Sequence, residues 1–173
     1  AEETRELFQH ELAHRLLHLR FGRLPTWLNE GLAQYYSTLR IDADGVRLGG
    51  RLTSIDFSER PFFWESWYEG AYQLQVPASK APTIQTLLAS DGPAFYLTAG
   101  TDPSRDDRER QAALYAGAWK LVQFLLNGPG PGDRVRFEAV LAAIERGSDA
   151  RSAFQQSFGD AGLSRLEAAF LDY

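Results

Sequence analysis

Residues 10–14 read His10-Glu11-Leu12-Ala13-His14, and residues 25–33 read Pro25-Thr26-Trp27-Leu28-Asn29-Glu30-Gly31-Leu32-Ala33. On an α-helix, residues four apart share a face with Cβ atoms ~5–6 Å apart, so the imidazoles of His10 and His14 can converge on one point. At ~100° per residue Glu11 points about 60° from His14, which keeps its carboxylate beside such a point without occupying it. The flanking residues predict the helix. Phe8, Leu12, Leu16 and Leu19 repeat at i, i+4, i+8 and i+11, and Leu17 and Phe21 extend the histidine face. The segment therefore reads as a helix from about Glu3 to Arg20, buried on two sides. Two histidines on a buried face need either hydrogen-bond partners or a metal.

A third ligand decides between these. The metzincin pattern needs a glycine where Leu17 stands and a histidine where Arg20 stands, and the HxxEH order is absent too. His18 does not serve: it lies ~12 Å along the axis from His10, against Zn–N bonds of ~2.1 Å, and is assigned to the surface or to a supporting position. Glu30 fits better. The first helix is expected to break at Phe21-Gly22-Arg23-Leu24-Pro25, with Thr26 as N-cap of a second helix. If the two pack antiparallel, the chain climbs ~9 Å from His14 to Arg20 and descends ~6 Å from Thr26, which brings Glu30 nearly level with His14. The core stripe of the second helix is Leu28, Leu32, Tyr35 and Leu39, and Glu30 falls on the opposite side with Ala33, Gln34 and Ser37.

HELAH followed by PTWLNEGLAQYY resembles the gluzincin metallopeptidases, whose third zinc ligand is a glutamate on the next helix. WLNEGLA is similar to the WLNEGFA of the aminopeptidase N family. The gap of fifteen residues between His14 and Glu30 is shorter than in that family and points to a compact bacterial peptidase-MA-like domain. In the thermolysin branch an aspartate four positions after the ligand glutamate orients a ligand histidine; here that position is Gln34, so the supporting group is open. Leu114-Tyr115-Ala116-Gly117-Ala118-Trp119-Lys120-Leu121-Val122 resembles the YEKGAxVL segment of aminopeptidase N relatives, whose tyrosine donates to the oxyanion, and the resemblance gives Tyr115 that role.

The implied activity is zinc-dependent hydrolysis of peptide bonds in a peptide or protein substrate. His10, His14 and Glu30 hold Zn²⁺, and Glu11 is the general base for a metal-activated water. The alternative is a non-catalytic zinc-binding module used for peptide recognition or as a scaffold. Gluzincins hold substrate along an edge strand that precedes the active-site helix, and no strand fits in the nine residues before His10. Endo- and exopeptidase action stay open, because the groups that capture a free N-terminus lie upstream of HExxH in aminopeptidase N.

Composition narrows the class further. The 173 residues are 44% hydrophobic and 13% aromatic, enough for a real core, and no apolar run approaches the ~18 residues of a membrane span. A net charge of −5 without clustered Lys and Arg argues against nucleic acid as a partner. The lack of cysteine leaves histidine and carboxylate as the zinc ligands. The chain opens AEETRELF, already helical in pattern and without a signal peptide, so upstream residues are expected; export follows only if they included a signal.

The remainder reads as one domain over residues 1–173, mainly α, becoming α+β if an upstream sheet completes it. Leu39–Asp42 and Val46–Leu48 form a hairpin through Ala43-Asp44-Gly45. The aromatic run from Phe62 to Tyr72 is expected to start a helix after Pro61 and to pack in the core. Val76–Thr83 reads as a loop, Ile84–Ala89 as a short helix, and Asp91–Asp106 as a long connection, either a lid or a mobile loop. A helix follows with Asp106 and Asp107 in its first turn, the stripe Leu114, Ala118, Leu121 and Leu125, and an end at Asn127-Gly128-Pro129. Helices at Arg134–Glu145, Arg151–Phe158 and Leu163–Leu171 complete the chain, with Phe154, Phe158, Leu166 and Phe170 as core anchors.

Overall fold

The computed structural model of the chain describes residues 2–48, 81–90, 92–96, 104–128, 130 and 132–173. The expected aromatic helix after Pro61 lies outside them. Among the described residues the protein is mainly helical, with seven helices and one two-stranded hairpin. None of these helices is long and apolar enough to cross a membrane.

Helix α1 spans Glu2–Phe21 and ends where Gly22 turns to a left-handed φ of 68°. The Gly22 amide donates to the His18 carbonyl at 2.9 Å, and the His18 ring Nδ1–H donates to the Gly22 carbonyl at 2.7 Å. His18 is thus a surface residue that closes the helix end. Helix α2, Thr26–Ser37, starts one residue earlier in role than expected. Pro25 rather than Thr26 occupies the N-cap, and its carbonyl accepts from the amides of Leu28 (3.0 Å) and Asn29 (2.9 Å). Proline's fixed φ suits that entry, so no side-chain cap is required.

Helix α2 is the centre of the molecule. One side packs against α1 and the other against α5, Arg105–Asn127. Leu28, Leu32 and Tyr35 are buried as expected, but so are Glu30, Ala33, Gln34 and Ser37 on the opposite side. At Gly31 the helices touch backbone to backbone: a β-carbon there would sit 2.6 Å from the Ala118 carbonyl oxygen. Gly117 leaves room for the segment that leads into α3, Ile84–Ala89, since its β-carbon would meet the Pro82 ring and, at 3.5 Å, the Leu87 side chain.

The α1 stripe is a correction. Phe8, Leu12, Leu16 and Leu19 are 66%, 44%, 56% and 68% exposed, so α1 is buried on one side only. That side carries Glu6, His10, Ala13 and Leu17, with Phe21 partly buried below them. Of the two sides expected to be buried, the histidine face extended by Leu17 is buried and the Phe8 stripe is not, because α2 packs on the narrower stripe that contains the histidines.

The hairpin pairs β1, Arg40–Asp42, with β2, Gly45–Arg47, in the register Ile41 opposite Val46. Gly45 therefore belongs to the strand rather than the loop, at φ 124°, and Asp42 Oδ1 accepts from the Asp44 amide at 3.0 Å. The hairpin is tied to α1 by Arg40 donating to Glu6 (2.9 Å) and by Gln9 donating to the Leu39 carbonyl (3.1 Å).

Beyond the hairpin lie α3, the single turn α4 (Gly92–Phe95), α5, α6 (Asp133–Glu145) and α7 (Ala150–Asp172). Helix α5 opens with a capping box in which Ser104 and Asp107 satisfy each other's amides. Helix α7 is two helices joined at Gly159, whose φ of 64° breaks the spiral where the sequence places a gap. The core runs between α2, α5, α6 and α7: Phe154 stacks on Phe158 (5.7 Å) and lies 5.7 Å from Trp27 and 6.3 Å from Phe137. Phe124 meets Phe170 at 5.8 Å.

Candidate metal centre

The site is built on the α1–α2 interface. His10 and His14 point from one face of α1 toward α2, their ring centroids 4.5 Å apart and nearly perpendicular. Glu30, on the second turn of α2, places Oε2 3.6 Å from His10 Nε2 and 3.6 Å from His14 Nε2. These distances lie just outside hydrogen-bond range. They match two ligands of one tetrahedral ion, which are ~3.4 Å apart when metal–ligand bonds are ~2.1 Å. All three ligand atoms fall within 4.8 Å of one another. Glu30 Oε2 is buried and accepts no hydrogen bond, although a buried carboxylate oxygen ordinarily finds a donor or a cation. The residues therefore fit a metal.

The electrostatics favour ligation. Burial holds the His10 pKa below its ordinary value against the opposing pull of Glu30, which keeps the ring neutral with a lone pair to give. Burial alone would raise the Glu30 pKa, but His10, His14 and Tyr96 together hold it below the ordinary carboxylate value. Two imidazoles and one carboxylate suit a borderline transition metal rather than calcium or magnesium, which prefer oxygen alone.

Glu11 follows His10 on α1 and is exposed, while its charge still reaches the His10 ring. Tyr115 is buried on α5, edge-on to Phe95 with ring centroids 5.4 Å apart. Burial raises the Tyr115 pKa, with the charge on Glu30 and then Tyr96 adding to the effect, which locates Tyr115 in the same electrostatic neighbourhood. Gln34, at the position where the thermolysin branch has aspartate, is buried on the same side of α2 as Glu30.

No family profile, curated protein or solved structure matches the chain. The family resemblance rests on the quoted residues alone.

Tyr96 was not singled out from the sequence. Its hydroxyl donates to Glu30 Oε1 at 2.7 Å, and burial first, then Glu30, raises its pKa. It follows the turn of α4, inside the stretch read as one long connection, 66 residues from its partner. Gly92-Pro93 marks a helix start there, but no periodicity ties a single turn to a glutamate so distant in sequence.

Proposed function

We propose that this chain is a gluzincin-type zinc peptidase domain in which His10, His14 and Glu30 hold the metal and Glu11 is the general base. The observation that carries the reading is the convergence of three ligand atoms within 4.8 Å, from the HELAH helix and from Glu30 of the helix after it. Zinc held by three protein ligands supplies a Lewis acid with one exchangeable position, able to activate water and polarise a carbonyl near neutral pH. The chain's own residues do the rest. Glu11, beside the ligands and open to solvent, takes the proton of the attacking water and returns it to the leaving amine. Tyr115, kept protonated by burial, is the donor for the oxyanion that forms on the scissile carbonyl. The substrate is a peptide or protein.

The test is Glu11→Gln, with zinc content by mass spectrometry and turnover on a diverse fluorogenic peptide library. The variant should retain one zinc and lose activity by ~10²–10⁴-fold, the usual contribution of a general base. Near-normal hydrolysis by the variant would remove Glu11 from that role. Zinc retained by the wild type without any cleavage would favour a non-catalytic peptide-binding module. Zinc uptake unchanged by His14→Ala would refute the site itself.

A further inference from the structure

The two oxygens of Glu30 have different surroundings. Oε2 faces both histidines and accepts no hydrogen bond, while Oε1 accepts the Tyr96 hydroxyl at 2.7 Å. From this asymmetry we propose that Tyr96 is a positioning residue that holds Glu30 as a one-oxygen metal ligand through Oε2. The inference rests on the reading that His10, His14 and Glu30 bind zinc.

A carboxylate can bind a metal through one oxygen or both, and the choice sets how many positions remain for water and substrate. Zinc sites with three protein ligands work with one open position and expand to five-coordination only transiently. An unrestrained Glu30 side chain would be free to rotate and bring Oε1 toward the ion as a fourth protein donor. The Tyr96 hydroxyl opposes that rotation, because turning Oε1 inward breaks a short hydrogen bond to a buried carboxylate.

Tyr96 is half-exposed, so its aim must come from its backbone. Phe95, its neighbour, is fully buried against Tyr115. The Phe95 carbonyl accepts from Gln111 Nε2 of α5 at 2.7 Å in a buried bond, and the Tyr96 amide donates to the Gly92 carbonyl at 2.9 Å. Helix α4 packs on both α2 and α5. The turn is thus anchored on α2, which carries Glu30, and on α5, which carries Tyr115, and Tyr96 projects from it onto Glu30. A phenol has one proton. With that proton committed to Glu30, Tyr96 does not serve as an oxyanion donor, and the role stays with Tyr115.

The test replaces Tyr96 by Phe in the full chain, which removes the hydroxyl and keeps the ring. Zn²⁺ affinity is measured by competition with a chromogenic chelator, coordination number from the visible absorption spectrum of the Co²⁺ form, and folding from the melting of the metal-free protein. Loss of a group that supports a ligand typically lowers metal affinity by ~10–100-fold, and that range is expected here. The Co²⁺ spectrum should move from an intense four-coordinate pattern toward a weaker five-coordinate one as Oε1 joins. Gln111→Ala, which loosens the anchor while leaving the hydroxyl in place, should give a smaller change in the same direction and guards against a poorly folded Phe variant. Wild-type zinc affinity together with an unchanged Co²⁺ spectrum in Tyr96→Phe would overturn the proposal and leave the metal site standing. A wild-type chain that takes up neither Zn²⁺ nor Co²⁺ would overturn both.

Discussion

Gly31→Ala tests the packing that carries Glu30. Alanine is the better helix former by ~1 kcal/mol, so in an isolated helix the change would stabilise. Here the new β-carbon would stand 2.6 Å from the Ala118 carbonyl oxygen, 2.8 Å from Val122 Cγ2 and 2.9 Å from the Ala118 carbonyl carbon, against ordinary contact beginning at 3.4 Å. The valine methyl can rotate away. The carbonyl belongs to the backbone of α5, so relief requires α2 and α5 to separate by about 0.8 Å. Overpacking of this kind costs ~1–3 kcal/mol, and contact with backbone puts it at the upper end. After subtracting the propensity gain, the expected net loss is roughly 1–2 kcal/mol, a fall in Tm of roughly 2–8 °C for a chain of this size. Glu30 precedes Gly31 and moves with it, so the zinc affinity proposed for the site should fall as well. Thermal unfolding by circular dichroism, with and without zinc, measures both effects. A variant as stable as the wild type, or more stable, would refute the close approach of α2 to α5, because only that contact reverses the sign set by propensity.

The fully buried Phe154, wedged among Trp27, Phe137 and Phe158, should cost ~3–5 kcal/mol on Phe154→Ala, read from urea unfolding. Asp107 and Asp149 cap α5 and α7, and hydrogen bonds from Ser104 and Ser152 respectively hold their pKa values below the ordinary 3.8. Their stabilisation is therefore fully present above about pH 4 and is lost as pH falls from 3.8 through the lowered folded-state values. Denaturant unfolding between pH 6 and pH 2.5 should show this acid loss, shallower in Asp107→Asn; identical slopes in variant and wild type would contradict it.

Helix positions that depend on neighbours in sequence were legible without coordinates. The stop at Gly22, the helix Ile84–Ala89, the acidic first turn of α5 and the break near Gly159 all follow from residues within a few positions of one another. Burial was less legible. Phe8, Leu12, Leu16 and Leu19 form a regular apolar stripe, and the usual inference sends such a stripe inward. In the structure α2 packs on the neighbouring face, where Glu6 and His10 are buried and polar. Hydrophobicity measures a tendency averaged over proteins, whereas the face that packs is chosen by the partner helix.

The candidate metal centre divides along the same line. By itself the sequence determined the pairing of His10 with His14 and the position of Glu11 beside them, because a helical turn sets those relations through local backbone geometry. It also made Glu30 a candidate, through the short break between two helices. Only the tertiary structure decided that Glu30 presents Oε2 to both imidazoles, which depends on how closely α1, α2 and α5 approach and on a glycine at the contact. The same is true of Tyr96, which reaches Glu30 across 66 residues of sequence. Its hydrogen bond exists because α4 packs on both α2 and α5, a long-range arrangement that no local periodicity encodes.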